Sequence, residues 1–196
     1  MARTLTKGHT TGKGSQPAKP QPKGRAARAE GSATGAGTLV APGTLLTAHH
    51  VVRTPAAFRT LWEAPALLRI EWVKSGVGAR DAKAILGRLR VPQGDALAAL
   101  QIPVATVNRK AKTNAPLSPA ESERVLGVGR LIGQVEAMVR ESGDAEGFDA
   151  ASWLSEWMRS PVPALGGARP LDLMDTMSGQ ALVSQVLSQM QSGAYA

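Results

Sequence analysis

The chain has 196 residues, a hydrophobic fraction of 43% and a formal net charge of +8 at pH 7. It contains no cysteine, which excludes disulfides and thiolate metal sites and favours a soluble, cytoplasmic protein. Arg, Lys, Gly or Pro interrupts every apolar stretch, so we expect neither a membrane span nor a secretory signal.

Charge divides the chain into three segments. Residues 1–36 carry seven Lys or Arg against one Glu, and residues 37–115 carry eleven against four acidic residues. Residues 116–196 carry five against ten, so this segment alone is acidic. A basic segment suits a polyanion such as DNA, whereas an acidic one is better suited to another protein. We therefore expect two partners, of which one is a nucleic acid.

The first segment, residues 1–36, consists mainly of small, polar and basic residues. It has almost no bulky apolar side chains to offset the entropy cost of ordering, so we predict a disordered basic tail. Its cations could add non-specific phosphate contacts, but a solvated tail is the simpler interpretation.

Residues 37–52 resemble the stretch around the catalytic histidine of chymotrypsin-like proteases, with His50 in the place of the base. That reaction also needs an activated serine in a glycine-rich turn and an orienting carboxylate. The nearest candidate, Ser178, lies in a helix-start pattern instead. We expect His49 and His50 to lie on a connecting segment and predict no catalytic residue, no metal ligand and no enzyme.

Helix signals dominate from Ala64 onward. Pro65 is predicted in the first turn of a helix that stops at Gly76, and Trp72 is expected in the protein core. A second amphipathic helix is predicted over 79–89. A third over 91–100, the turn Gln101-Ile102 and a fourth helix over 103–112 then give helix-turn-helix spacing.

The fourth helix carries side chains suited to DNA. They are Thr106, Asn108, Arg109, Lys110 and Lys112, alongside the apolar Val104 and Val107. Asn can read adenine and Arg can read guanine in a major groove. A solvated charged helix is the alternative. The segment resembles the helix-turn-helix of Xre-type repressors but has Gln101 where glycine is common, and a positive φ there costs about 1 kcal/mol.

The acidic segment begins with a capping signal. Ser118 is a cap, Pro119 takes the first helical position and Glu121 completes a capping box. A stripe of apolar residues predicts a long helix up to Ser142-Gly143.

Three motifs then follow. Residues 150–154 read A-x-x-W-L, residues 161–173 read P-x-x-x-L-G-G-x-x-P-L-D-L, and residues 193–196 read G-x-Y-A. With the segment from about Leu61, these motifs resemble the Xre/MbcA/ParS antitoxins over some two thirds of the chain. The resemblance implies an all-α helical bundle, with an Xre-like helix-turn-helix in 37–115 and a small helical toxin-binding domain in 116–196.

Most of the motif residues have a structural interpretation. Eight are expected to maintain the fold: Trp153, Leu154, Leu165, Gly166, Gly167, Pro170, Thr176 and Gly179. Thr176 caps the last helix, whose apolar positions are Leu182, Val183, Val186, Leu187 and Met190. Direct partner contact is the alternative for Trp153, Gly167 and Pro170.

The remaining candidates are assigned to toxin binding: Asp172, Asp175, Met190, Gly193, Ala194, Tyr195 and Ala196. Tyr195, the only tyrosine of the chain, is a plausible anchor in a pocket of a partner, although a frayed end is equally compatible with the sequence.

The resemblance also implies partners. The usual partner of such antitoxins is a RES-domain toxin that degrades NAD or transfers its ADP-ribose, and the antitoxin covers the active site of the toxin. This chain itself is expected to need no cofactor. Operator DNA, autorepression and a homodimer within a toxin–antitoxin hetero-oligomer are further expectations. The alternative is a stand-alone helix-turn-helix transcriptional regulator.

Overall fold

A computed structural model describes residues 56–143 and 146–192 of the chain. These residues form eight α-helices and two short 3₁₀ turns, and their only β-type pairing is an isolated bridge between Gly78 and Pro116. The helices are α1 (Ala57–Glu63), α2 (Ala66–Ser75), α3 (Ala79–Leu86), α4 (Gln93–Ala99), α5 (Val104–Thr113), α6 (Pro119–Ser142), α7 (Ala150–Arg159) and α8 (Met177–Ser192). The 3₁₀ turns are Pro163–Leu165 and Pro170–Leu173. The predicted all-α class is confirmed.

Helix α6 is the central element of the described fold. It spans 24 residues and begins at the predicted capping box, in which Ser118 and Glu121 each hydrogen-bond the backbone N–H of the other. Gly143 ends the helix with a φ of 87°, a conformation that favours glycine. Helices α1, α2, α3, α7 and α8 all pack against α6. One apolar core therefore joins the helix-turn-helix to the C-terminal helices.

Three glycines of α6 allow the neighbouring helices to approach closely. A Cβ atom at Gly133 would overlap the backbone carbonyl of Phe58, and one at Gly129 would lie 2.6 Å from Cδ1 of Leu61. A Cβ at Gly127 would overlap the side-chain amide of Gln180. The spacing of these glycines therefore lets α1 pack on one side of α6 and α8 on another.

Three features differ from the sequence-based expectations. Helix α1 falls in a region for which no clear element was predicted, yet it buries Phe58 and Leu61 against α6. Helix α3 ends at Leu86, not Leu89, because Gly87 begins a turn. Leu182, which was expected on the core face of α8, is 43% exposed; the core positions are Val183, Val186 and Leu187.

Candidate DNA-binding and toxin-binding surfaces

Helices α4 and α5 form the predicted helix-turn-helix. The backbone N–H of Ile102 donates to the carbonyl of Leu97 at 2.9 Å, which closes the turn. Gln101 has a φ of 49°, so this non-glycine residue adopts the left-handed conformation that the spacing implied. Leu100 and Val107, on either side of the turn, are both buried in the apolar core.

The polar side of α5 carries most of the predicted DNA-binding side chains. Asn108, Arg109 and Lys112 are exposed, whereas Thr106 is half-buried. Nζ of Lys83, on α3, donates to Oδ1 of Asn108 at 3.1 Å, which leaves the amide N–H groups of Asn108 as donors for other groups. Val107 packs in the core, but Val104, which was expected to pack with it, is 42% exposed.

Lys110 differs from the other cations of α5. Its Nζ lies 3.6 Å from Oε2 of Glu121, and its side chain is only 25% exposed. Burial raises the pKa of Glu121, but the hydrogen bonds from Ser118 and the charge of Lys110 outweigh this effect and lower the pKa below its ordinary value. Lys110 therefore fastens α5 to the start of α6, and it is the least available of the three cations for a phosphate.

Arg80 holds the C-terminal end of α5. Its Nε donates to the carbonyl of Ala111 at 2.7 Å, and its Nη2 donates to the carbonyl of Lys112 at 2.7 Å. The backbone N–H of Arg80 donates in turn to Oδ1 of Asn114, which has a φ of 53° just beyond the helix. The last carbonyls of a helix have no hydrogen-bond donor within the helix, so a cationic donor such as Arg80 is favourable there. Helix α3 thus positions α5, a role that the sequence analysis missed.

Helix α7 carries the first C-terminal motif. Asp149 caps the helix by accepting from the backbone N–H of Ser152 at 3.0 Å. Leu154 is fully buried, while Trp153 is half-buried and stacks on Trp157 with ring centroids 6.0 Å apart. Oγ of the buried Ser155 accepts from the backbone N–H of Arg90, which joins α7 to the loop after α3.

The double-glycine motif forms a tight turn. Gly166 and Gly167 have φ values of 65° and 84°, so both adopt the left-handed conformation that other residues rarely take. Leu165 is half-buried beside them and Pro170 is buried at the start of the second 3₁₀ turn.

The last helix begins at a threonine cap. Oγ1 of Thr176 accepts from the backbone N–H of Gly179 at 3.0 Å, as predicted. A Cβ at Gly179 would overlap the carbonyl of Leu173, so this position has room only for glycine.

The acidic residues before α8 both have partners. Asp172 accepts two hydrogen bonds from the guanidinium of Arg169, at 2.9 and 2.7 Å, and these bonds lower its pKa. Asp175 accepts from Nε2 of Gln101 at 2.7 Å. Met190 is half-buried against the core. Gly193, Ala194, Tyr195 and Ala196, like the tail and His50, lie outside the described residues.

Comparison with known proteins matches two segments of the chain to family models. A family model described as the antitoxin Xre-like helix-turn-helix domain matches residues 69–130. A second, described as the antitoxin Xre/MbcA/ParS C-terminal toxin-binding domain, matches residues 145–193. A Prs ADP-ribosylating antitoxin of a Sphingobium species is 53% identical over 142 residues, which cover 72% of this chain and 89% of the relative. The chain belongs to the Xre/MbcA/ParS antitoxin family.

More distant antitoxins are similar over parts of the same region. The antitoxin Xre of Yersinia enterocolitica is 26% identical over 149 residues, which cover 72% of this antitoxin and 95% of the relative. The antitoxin Xre of Pseudomonas putida is 25% identical over 92 residues, or 47% and 52% of the two chains. The match to the helix-turn-helix model extends from α2 into the middle of α6.

The antitoxin shows no metal-binding cluster of three or more His, Asp or Glu side chains in the described ranges 56–143 and 146–192. No helix within the same ranges is long and apolar enough to cross a membrane.

Proposed function

We propose that this antitoxin neutralises a RES-domain toxin that uses NAD, and that it represses its own operon by binding operator DNA. The observation that carries the proposal is the presence of two family segments on one core, a helix-turn-helix and a domain of the kind described as toxin-binding. In this account the protein acts by binding and covering, not by catalysis.

Toxin inhibition is assigned to the C-terminal segment. Asp172, Asp175 and Met190 provide part of the contact surface, and residues 193–196 reach toward the NAD pocket of the toxin with Tyr195 as the anchor. The name of the Sphingobium relative refers to ADP-ribosylation, which favours ADP-ribose transfer over NAD degradation as the reaction of the partner toxin.

DNA binding is assigned to α5. Asn108, Arg109 and Lys112 are exposed on α5. This helix is the second of the helix-turn-helix and lies within the matched family segment. Thr106 and Lys110 lie at the margin of this surface. A homodimer would present two such helices to a two-part operator. The proposed boundary between residues 115 and 116 falls in the connection between α5 and α6.

Co-expression tests both parts of the proposal. The neighbouring reading frame should arrest growth when it is expressed alone, and co-expression of this antitoxin should restore growth. An antitoxin that lacks residues 193–196 should fail to restore growth but should still repress a reporter that carries its promoter.

A neighbouring gene that is harmless when expressed alone, together with intact promoter repression, would favour the stand-alone regulator instead. Restored growth without any repression would overturn only the DNA-binding part. The truncation and the reporter therefore separate the two functions within one strain.

A further inference from the structure

A groove of about 360 Å³ lies between α2, α6 and the start of α8. Its walls include the buried side chains of Leu61, Trp72 and Leu126. Ile70 and Met177 border the groove and are 47% and 37% exposed. Exposed apolar side chains around a concave apolar surface are typical of a binding site for another protein.

The charged residues of the groove are mostly basic. Arg69, Lys74 and Arg130 line it, against the single carboxylate of Glu123. Burial, and then the nearby guanidinium of Arg69, lower the pKa of Arg130. A neighbouring carboxylate supplied by a partner would relieve this repulsion.

A second cavity of about 210 Å³ shares Gly127, Arg130 and Met177 with the groove and extends it toward α8. Gln180, which is 96% buried, lines this inner end and donates through Nε2 to the carbonyls of Arg124 and Met174. Within the described ranges, neither Oε1 of Gln180 nor Nε of Arg130 has a hydrogen-bond partner. Buried polar atoms without hydrogen-bond partners are uncommon, which distinguishes this end of the groove from the rest of the described core.

We propose that this groove is a second contact surface for the toxin, which inserts an apolar side chain between α2 and α6 and places a carboxylate beside Arg69 and Arg130. The inference rests on the proposed function, because it assumes that the partner of the C-terminal segment is a toxin. The toxin footprint then extends from the C-terminal segment onto α2 and α6, within the segment that matches the helix-turn-helix model.

Two observations favour the toxin over a second copy of this chain. A two-fold interface through the groove would bring Arg69, Lys74 and Arg130 toward their own equivalents, and like charges at an interface are unfavourable. The groove is also continuous with the segment described as toxin-binding, because Met177 and Gln180 belong to the matched residues 145–193.

The test uses the full-length antitoxin and a catalytically inactive form of the toxin encoded by the neighbouring reading frame. Ile70→Asp places a carboxylate in the groove at an exposed position. Leu67→Asp is the matched control, because Leu67 lies on the same helix, is 76% exposed and does not line the groove. Calorimetry measures toxin affinity, light scattering measures the oligomeric state, and operator binding reports that the helix-turn-helix is folded.

We expect Ile70→Asp to weaken toxin binding by about tenfold or more, and Leu67→Asp to change it by less than about threefold. Operator affinity and oligomeric state should stay unchanged in both variants.

Unchanged toxin affinity in Ile70→Asp, or an equal loss of toxin affinity in both variants, would overturn the proposal. Loss of the dimer with toxin affinity retained would assign the groove to a second copy. Failure of the unsubstituted antitoxin to bind the toxin would instead reject the proposed function.

Discussion

The side-chain Nε2 of Gln101 donates a hydrogen bond of 2.7 Å to Oδ2 of Asp175. Gln101 is the turn residue of the helix-turn-helix, and Asp175 precedes α8 in the segment that matches the toxin-binding model. The sequence predicts toxin contact for Asp175, and in the structure its carboxylate fastens the C-terminal segment to the turn of the helix-turn-helix. Gln101 also has a positive φ, which is strained for a non-glycine residue, so the hydrogen bond and the strain should affect stability in opposite directions.

The effect of Gln101→Gly on the free energy of unfolding should therefore depend on whether Asp175 is present. With Asp175→Ala already present, Gln101→Gly should raise the free energy of unfolding by about 0.5–1 kcal/mol, because glycine adopts this φ without strain. In the unsubstituted chain the gain should be cancelled, since the hydrogen bond to a carboxylate is lost as well. Urea denaturation of the four variants measures both effects. Equal changes in the two backgrounds would show that the bond contributes nothing.

The capping box of α6 should make stability depend on pH. Ser118→Ala should lower the free energy of unfolding by about 1 kcal/mol at neutral pH. The pKa of Glu121 lies below its ordinary value of 4.5 in the folded protein, so its stabilising contribution is present above pH 4.5 and is lost as the pH falls through the lower, folded pKa.

The difference between Ser118→Ala and the unsubstituted protein should accordingly shrink on acidification. Denaturation curves at several pH values between neutral and strongly acidic conditions measure it. A difference that stays constant across this range would contradict a stabilising hydrogen bond between the Ser118 hydroxyl and the Glu121 carboxylate.

The cations of α5 should contribute unequally to DNA affinity. Arg109→Ala should weaken operator binding and reduce the slope of log K against log salt by about one unit if Arg109 contacts a phosphate. Lys110→Ala should have a smaller effect on DNA, because its ammonium pairs with Glu121, and a larger effect on stability. Fluorescence anisotropy at several salt concentrations measures the slopes. Arg159→Ala, an exposed arginine at the end of α7, is the control. A larger loss of operator affinity in Lys110→Ala than in Arg109→Ala would refute this order.

The close packing of α1 on α6 should make Gly133 sensitive to substitution. Gly133→Ala should destabilise the fold by about 1–3 kcal/mol, because its Cβ overlaps the backbone carbonyl of Phe58 and the helices must separate. Gly94→Ala is a matched control with the opposite sign. Gly94 lies in α4, where an added Cβ would meet no neighbouring atom within 4 Å, so alanine there should stabilise by about 0.5–1 kcal/mol. Thermal denaturation measures the change in melting temperature of each variant. Similar changes in Gly133→Ala and Gly94→Ala would contradict the close packing of α1 on α6.

Much of the fold could be predicted because the deciding signals are local. The Ser118 capping box, the Thr176 cap and the turn at Gln101 depend on residues within three or four positions of one another, and all three are present. These signals fixed the starts of α6 and α8 and the helix-turn-helix.

The remainder depends on contacts between distant residues. Helix α1 has only seven residues. It packs closely on α6 because Gly129 and Gly133, much later in the chain, have no side chains. The pairing of Lys110 with Glu121 is likewise a contact between two different helices. The periodicity within a single helix does not reveal such partners. The groove beside Arg130 could not be predicted for the same reason, because several helices contribute to its walls.

The most direct test of the central claim is the rate at which the purified toxin consumes NAD, measured with the full-length antitoxin and with an antitoxin that lacks residues 193–196. Occlusion predicts that the full-length antitoxin stops NAD consumption at a near-stoichiometric ratio and that the truncated form does not. Equal inhibition by the two forms would contradict the role of the terminal residues, and NAD consumption that neither form inhibits would contradict toxin neutralisation itself.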